Sequence, residues 1–170
     1  MVPKMGENQR AKIRMSDDEV MAFVQRSRTA NLATNGPNGT PHLVAMWYAV
    51  LDGEIWFETK VKSQKVVNLR RDDRVTCLIE DGLTYDVLRG VSIEGRGVVS
   101  EDPADALRVG INVWERYYGP YTADQRPMVE AMMNKRVVVR VVAERVRSWD
   151  HRKLGIDPMP ISGSTAPDAG

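Results

Sequence analysis

With 170 residues, 24 basic against 23 acidic side chains and a net charge of +1, the chain can bury about two thirds of its unfolded surface in one domain and lacks the charge imbalance that nucleic acid or an anionic membrane would select. One cysteine and two histidines exclude a disulfide framework and a Cys/His zinc site. No apolar run approaches the roughly 20 residues of a membrane span, and the first 15 residues hold no signal-peptide apolar core, so a cytoplasmic protein is expected.

Residues 1–15 read as a basic arm carrying Lys4, Arg10, Lys12 and Arg14 without apolar periodicity. Ser16 followed by Glu19 is a capping box, and Val20, Met21, Phe23 and Val24 supply one apolar face, so a helix is predicted over Ser16 to Ser27. The pattern then becomes extended. Thr29 to Thr34 is a short strand, Gly36-Pro37-Asn38-Gly39 is turn chemistry, and Pro41 to Val50 reads as one long strand. Asp52-Gly53 closes a hairpin onto Glu54 to Thr59. A helix begins near Ser63, with Val66, Val67 and Leu69 toward the core and Arg70 and Arg71 set to pair with Asp72 and Asp73 at the surface. Arg74 to Glu80 and Val91 to Ser100 are further strands, and Cys77 in the first of them reads as a buried, inert thiol. Asp102-Pro103 starts a helix that Gly119-Pro120 stops, a second helix covers Thr122 to Asn134, and Arg136 to Ser148 is a long half-exposed strand. Residues 157–170, rich in proline and glycine, read as a flexible tail, leaving 16–156 as the folded domain. Six strands joined mainly as hairpins, with helices outside, predict a mainly β (α+β) fold: an antiparallel, closed or nearly closed barrel.

Chemistry concentrates in FETKVKSQK, Phe57 to Lys65. Ser63 is a plausible N-cap, and the helix after it presents free backbone N–H groups and the positive end of its dipole. Lys60, Lys62 and Lys65 crowd that end, which disfavours the helix unless an anion such as a phosphate is bound there. The same residues also read as a solvated basic face. Met46 and Trp47 lead through the hairpin to this turn, so a planar ligand with a phosphate tail would lie with its ring by Met46 and Trp47 and its tail by Ser63 and Lys65. Trp56 reads as core. Tyr117 and Tyr118 read either as a pocket wall or as a partner contact. Glu94-Gly95-Arg96-Gly97 is a lone GxG in mid-strand, better explained by a bulge or by close approach of another backbone than by a dinucleotide site.

Asn31-Leu32-Ala33-Thr34, Gly39-Thr40-Pro41-His42, Met46-Trp47-Tyr48, Thr59 through Lys65, Asn68 to Val75, Ile93-Glu94-Gly95 and Ser148 to Leu154, in that order and spacing, resemble the pyridoxamine 5'-phosphate oxidase-like split β-barrel superfamily, and more closely its actinobacterial flavin and deazaflavin oxidoreductases. The resemblance implies a homodimer with two cofactor sites built from both chains. It implies that Thr59, Ser63, Gln64 and Lys65 form the phosphate turn, with Gln64 standing where the oxidases carry an arginine. His42 stands at another arginine position and Trp47 at a lysine position. Trp149 carries over as a ring covering the cofactor from the other subunit. These departures count against pyridoxamine phosphate as substrate and against tight FMN binding, and resemble the relatives that use coenzyme F420. The function so implied is an F420H2-dependent reductase acting on an electron-poor double bond, with Val44 to Trp47 lining the ring, and Trp149, Tyr117, Tyr118 or His151 shaping the acceptor pocket. An FMN or haem oxidoreductase and a non-catalytic flavin, F420 or tetrapyrrole carrier are the alternatives.

Overall fold

The computed structural model describes residues 9–159; the rest of the basic arm and of the C-terminal tail lies outside the described residues. Within the arm, Gln9–Ile13 forms a short helix, α1. Helix α2, Asp17–Arg26, starts at the expected capping box: Glu19 N–H donates to Ser16 Oγ at 3.2 Å and Ser16 N–H donates to Glu19 Oε2 at 2.7 Å. The strands are β1 (Ala30–Asn35), β2 (Pro41–Met46), β3 (Ala49–Leu51), β4 (Glu54–Lys60), β5 (Arg74–Asp81), β6 (Arg89–Ser100) and β7 (Arg136–Asp150), and the remaining helices are α3 (Gln64–Arg71), α4 (Pro103–Tyr117) and α5 (Arg126–Met133).

The seven strands form one sheet in the order β2-β1-β5-β6-β7-β4-β3, an antiparallel split barrel with β2 and β3 at its edges. The expectation of six strands fails at one place. Pro41 to Val50 is not one strand, because the backbone of Tyr48 bonds to side chains of α4: its N–H donates to Tyr117 Oη at 2.9 Å and its carbonyl accepts from Arg116 Nε at 3.0 Å. Val50 N–H donates likewise to Asn112 Oδ1 at 2.9 Å. With those groups taken, the chain bends at Trp47-Tyr48 and restarts as β3. The turn from β3 to β4 has both Asp52 (φ 54°) and Gly53 (φ 80°) left-handed, as a two-residue hairpin demands.

Two compact units divide the described chain: residues 28–78 with 93–146, and residues 9–27 with 79–92 and 147–159. One core cluster of the larger unit is Ala49, Trp56, Val109, Val113, Val129, Met133 and Val138, formed where α4 and α5 pack and α4 lies on β3 and β4. Trp56 is core, as expected. Gly110 lets α4 approach α5, since a Cβ there would meet Val129 Cγ1 at 2.8 Å. Gly95 answers the GxG question: a Cβ would sit 2.1 Å from the carbonyl oxygen of Val142, so a neighbouring backbone does approach closely. On α3, Val66 and Leu69 are buried but Val67 is 49% exposed, correcting its expected inward face. The surface pairs differ too: Arg70 bridges to Glu101 and Arg71 donates to the Asn35 carbonyl, while Asp72 binds Arg74 and Asp73 binds Arg96. Arg70, Arg71 and Asp73 take partners distant in sequence that the fold brings alongside, whereas Asp72 takes Arg74 only two residues on.

In the smaller unit Phe23 and Val24 of α2 are buried, with the Arg89 guanidinium 5.4 Å over the Phe23 ring. Trp149 packs so closely on Gly90 that a Cβ there would meet its indole at 2.3 Å. No helix among the described residues is long and apolar enough to cross a membrane, and no group of acidic, histidine or cysteine side chains among them suits a metal ion.

Candidate functional site

The larger unit holds a cleft of about 380 Å³ lined by Val44, Ala45, Met46, Trp47, Glu58, Thr59, Lys60, Ser63, Lys65 and Arg136. Four elements build it. Strand β2 contributes Val44, Ala45 and Met46, and its half-buried face carries His42, Val44 and Met46. Strand β4 delivers Glu58, Thr59 and Lys60, and the turn after it leads to Ser63 at the head of α3, whose packing on β1 is tied by Asn68 Nδ2 donating to Thr34 Oγ1 at 3.0 Å. Strand β7 pairs antiparallel with β4, and the register that sets Lys60 opposite Arg136 brings that arginine to the same place.

At the polar end, Lys65 Nζ donates to Thr59 Oγ1 at 3.1 Å and Thr59 donates to Ser63 Oγ at 3.2 Å. Ser63 does not spend its side chain on capping α3, although it is the N-cap residue. Its hydroxyl thus remains able to donate to a ligand beside the helix N-terminus. Burial pushes the Lys65 ammonium below its ordinary pKa; the Glu58 carboxylate opposes that shift and the nearby Arg136 guanidinium adds to it. Arg136 Nη1 donates to Glu58 Oε2 at 2.5 Å. Lys60, Lys65 and Arg136 stand against one carboxylate, Glu58, so the cleft keeps an excess of positive charge at this end.

The opposite end is apolar and aromatic. Trp47, 49% exposed, stacks flat on Tyr117 with ring centroids 4.3 Å apart and planes 5° from parallel, and Tyr118 meets its edge at 6.2 Å. Tyr117 is held in turn: its hydroxyl donates to the Arg28 carbonyl at 2.7 Å and accepts from Tyr48 N–H.

Six of the residues named from sequence therefore meet in one cleft: Val44, Met46, Trp47, Thr59, Ser63 and Lys65. Gln64 does not join them; it is exposed and its amide donates to Asn68 Oδ1 at 2.8 Å. His42 shares the strand face with Val44 and Met46 but does not line the cleft, and its Nδ1 is buried without a hydrogen-bond partner among the described residues. Tyr117 and Tyr118 support Trp47 without lining the cleft. Trp149 and His151 belong to the smaller unit, where Trp149 covers Gly90 and His151 Nδ1 lies 2.7 Å from the Tyr85 carbonyl. Sequence reasoning does not reach Glu58 and Arg136. Arg136 looks like an ordinary strand charge until the β4–β7 register is known, and the only hint at Glu58 is its place two residues before Lys60 on the same strand face.

The curled antiparallel sheet with its flanking helices defines a split-barrel protein. The chain belongs to the pyridoxamine 5'-phosphate oxidase family, whose model matches residues 16–150. It is similar to the conserved hypothetical protein Rv2991 from Mycobacterium tuberculosis, with 64% identity over 94% of this chain and 100% of that one and a TM-score of 0.90. It is also similar to a solved F420 reductase, with 29% identity over 74% of this chain and 93% of that one and a TM-score of 0.54. A FAD-binding protein from Mesorhizobium loti, 17% identical over 79% of this chain and 92% of that one with a TM-score of 0.57, shares the fold. No curated protein sequence matches the chain.

Proposed function

We propose that this protein is a coenzyme F420H2-dependent reductase that passes a hydride to an electron-poor double bond of a small acceptor. The observation that carries the reading is the cleft itself, which joins the Val44–Trp47 strip to the cationic Ser63, Lys65 and Arg136 end within one cavity. The donor set suits the group: a partly desolvated ammonium, a guanidinium and a hydroxyl with an unused proton are what a phosphate requires. The 29% identity to an F420 reductase adds support for a deazaflavin rather than another planar ring.

Bound there, the deazaflavin would supply the hydride, and the protein supplies placement. Lys65, Ser63 and Arg136 hold the phosphate. Val44 and Met46 line the ring with apolar surface that excludes water, and Trp47, its plane fixed by Tyr117, closes that end. Fixing the ring relative to an acceptor contributes through orientation, and the electrostatics of a dry cleft add to it. The homodimer implied by the family resemblance belongs to the same proposal, with the exposed Leu43 and Tyr118 of the larger unit as candidates for covered surface. Mixing ligand-free protein with F420H2 and a panel of activated alkenes, and following reoxidation of the cofactor, tests the activity. Acceptor-dependent turnover supports the reductase; tight F420 binding without turnover on any acceptor would instead mark a carrier.

A further inference from the structure

The phosphate end of the cleft contains a carboxylate, which a site built only to attract anions would avoid. Glu58 is 18% exposed and holds Arg136, itself 30% exposed, through a 2.5 Å ion pair, and its field also reaches Lys65. The charged groups around it are few. Strand β4 adds Lys60, which is exposed and therefore screened by solvent; α3 adds Lys65; β7 adds Arg136, while Arg140 further along is paired with Glu54 at 3.4 Å. Strand β2 adds no acidic, lysine or arginine side chain. The enclosed part of the site thus holds Lys65 and Arg136 against Glu58, a single net positive charge. The turn supplies no further guanidinium, since Gln64 stands there with its amide on Asn68.

A phosphodiester carries one negative charge at neutral pH, whereas a phosphomonoester, with a second pKa near 6, carries about 1.5 to 2. One net positive charge balances the diester. The second charge of a monoester meets the Glu58 carboxylate at short range in a partly desolvated place, where like charges disfavour each other strongly. We propose that Glu58 is a specificity-determining residue that selects a cofactor joined through a phosphodiester over one ending in a phosphomonoester. This rests on the reading of the cleft as a cofactor site: F420 is phosphodiester-linked and FMN ends in a monoester. Glu58 acts both directly, by repelling the second charge, and through Arg136, by engaging its Nη1 donor.

Two comparisons test it. Dissociation constants of F420 and FMN are measured on ligand-free wild-type protein and on Glu58→Gln; the substitution should tighten FMN by roughly tenfold or more while F420 changes far less. An unchanged ratio, or equal weakening of both ligands in a folded variant, overturns the proposal. Should Glu58→Gln fail to fold, FMN and the methyl ester of its phosphate are compared on the wild-type protein. These share one ring and differ by one charge, so the ester should bind tighter; equal or weaker binding overturns the role of Glu58. F420 binding without a diester preference removes only that role, whereas failure of F420, FMN and the ester alike removes the cofactor reading itself.

Discussion

Replacing Lys65 by alanine separates binding from folding. A charge-assisted hydrogen bond to a phosphate contributes about 1.5 to 3 kcal/mol, so Lys65→Ala should weaken a phosphate-bearing cofactor by roughly 10- to 150-fold. The folded protein loses little. Burial and Arg136 already disfavour the charged lysine, which holds its pKa down, so removing it relieves a cost instead of adding one. Thr59, 4% exposed, keeps Ser63 Oγ as a partner when Lys65 Nζ is gone, so no buried hydroxyl is orphaned. The expected pattern is a large loss of affinity by calorimetric titration with a melting temperature equal to or slightly above that of the wild type. Unchanged affinity in a variant with unchanged melting would remove Lys65 from the site, and a collapsed melting temperature would show that its bond to Thr59 matters to folding.

Cofactor affinity should fall on the alkaline side. A bound phosphate favours the protonated Lys65, so the full affinity is present below the free protein's depressed lysine pKa and is lost as pH rises through it; Lys65→Arg should move that loss to higher pH in a binding titration. Gly95→Ala should destabilise by about 1 to 3 kcal/mol in denaturant unfolding, because its Cβ would lie 2.1 Å from the Val142 carbonyl oxygen and backbone must shift. Cys77, whose thiol burial pushes up to about 12, should resist a thiol reagent in the native protein at mildly alkaline pH and react on unfolding; rapid native labelling would contradict its buried placement.

Local signals make much of this fold legible. The Ser16 capping box, Asp102-Pro103 at the head of α4 and the Asp52-Gly53 hairpin each act within a few residues, and each element starts or turns where its own chemistry dictates. What escapes is set at long range. Tyr48 belongs to an unbroken strand pattern, and it is hydrogen bonds from Arg116 and to Tyr117, together with that from Val50 to Asn112, all more than sixty residues away, that break it. The second predicted helix likewise divides into a short 3₁₀ turn, Ala123–Gln125, and α5. In the cleft, the Ser63–Lys65 turn is legible because strand, cap and helix are consecutive. Arg136 and Glu58 are not, because their roles exist only once β4 and β7 are in register. The roles of Gln64 and His42 are suggested by family resemblance alone, and the local geometry gives Gln64 another partner.

The most direct measurement is a crystal structure of the protein with F420 bound. The account predicts the phosphate within hydrogen-bonding distance of Lys65 Nζ, Ser63 Oγ and the Arg136 guanidinium, with the deazaflavin ring along Val44, Met46 and Trp47. A cofactor seated elsewhere, or a phosphate facing away from Lys65 and Arg136, would contradict it.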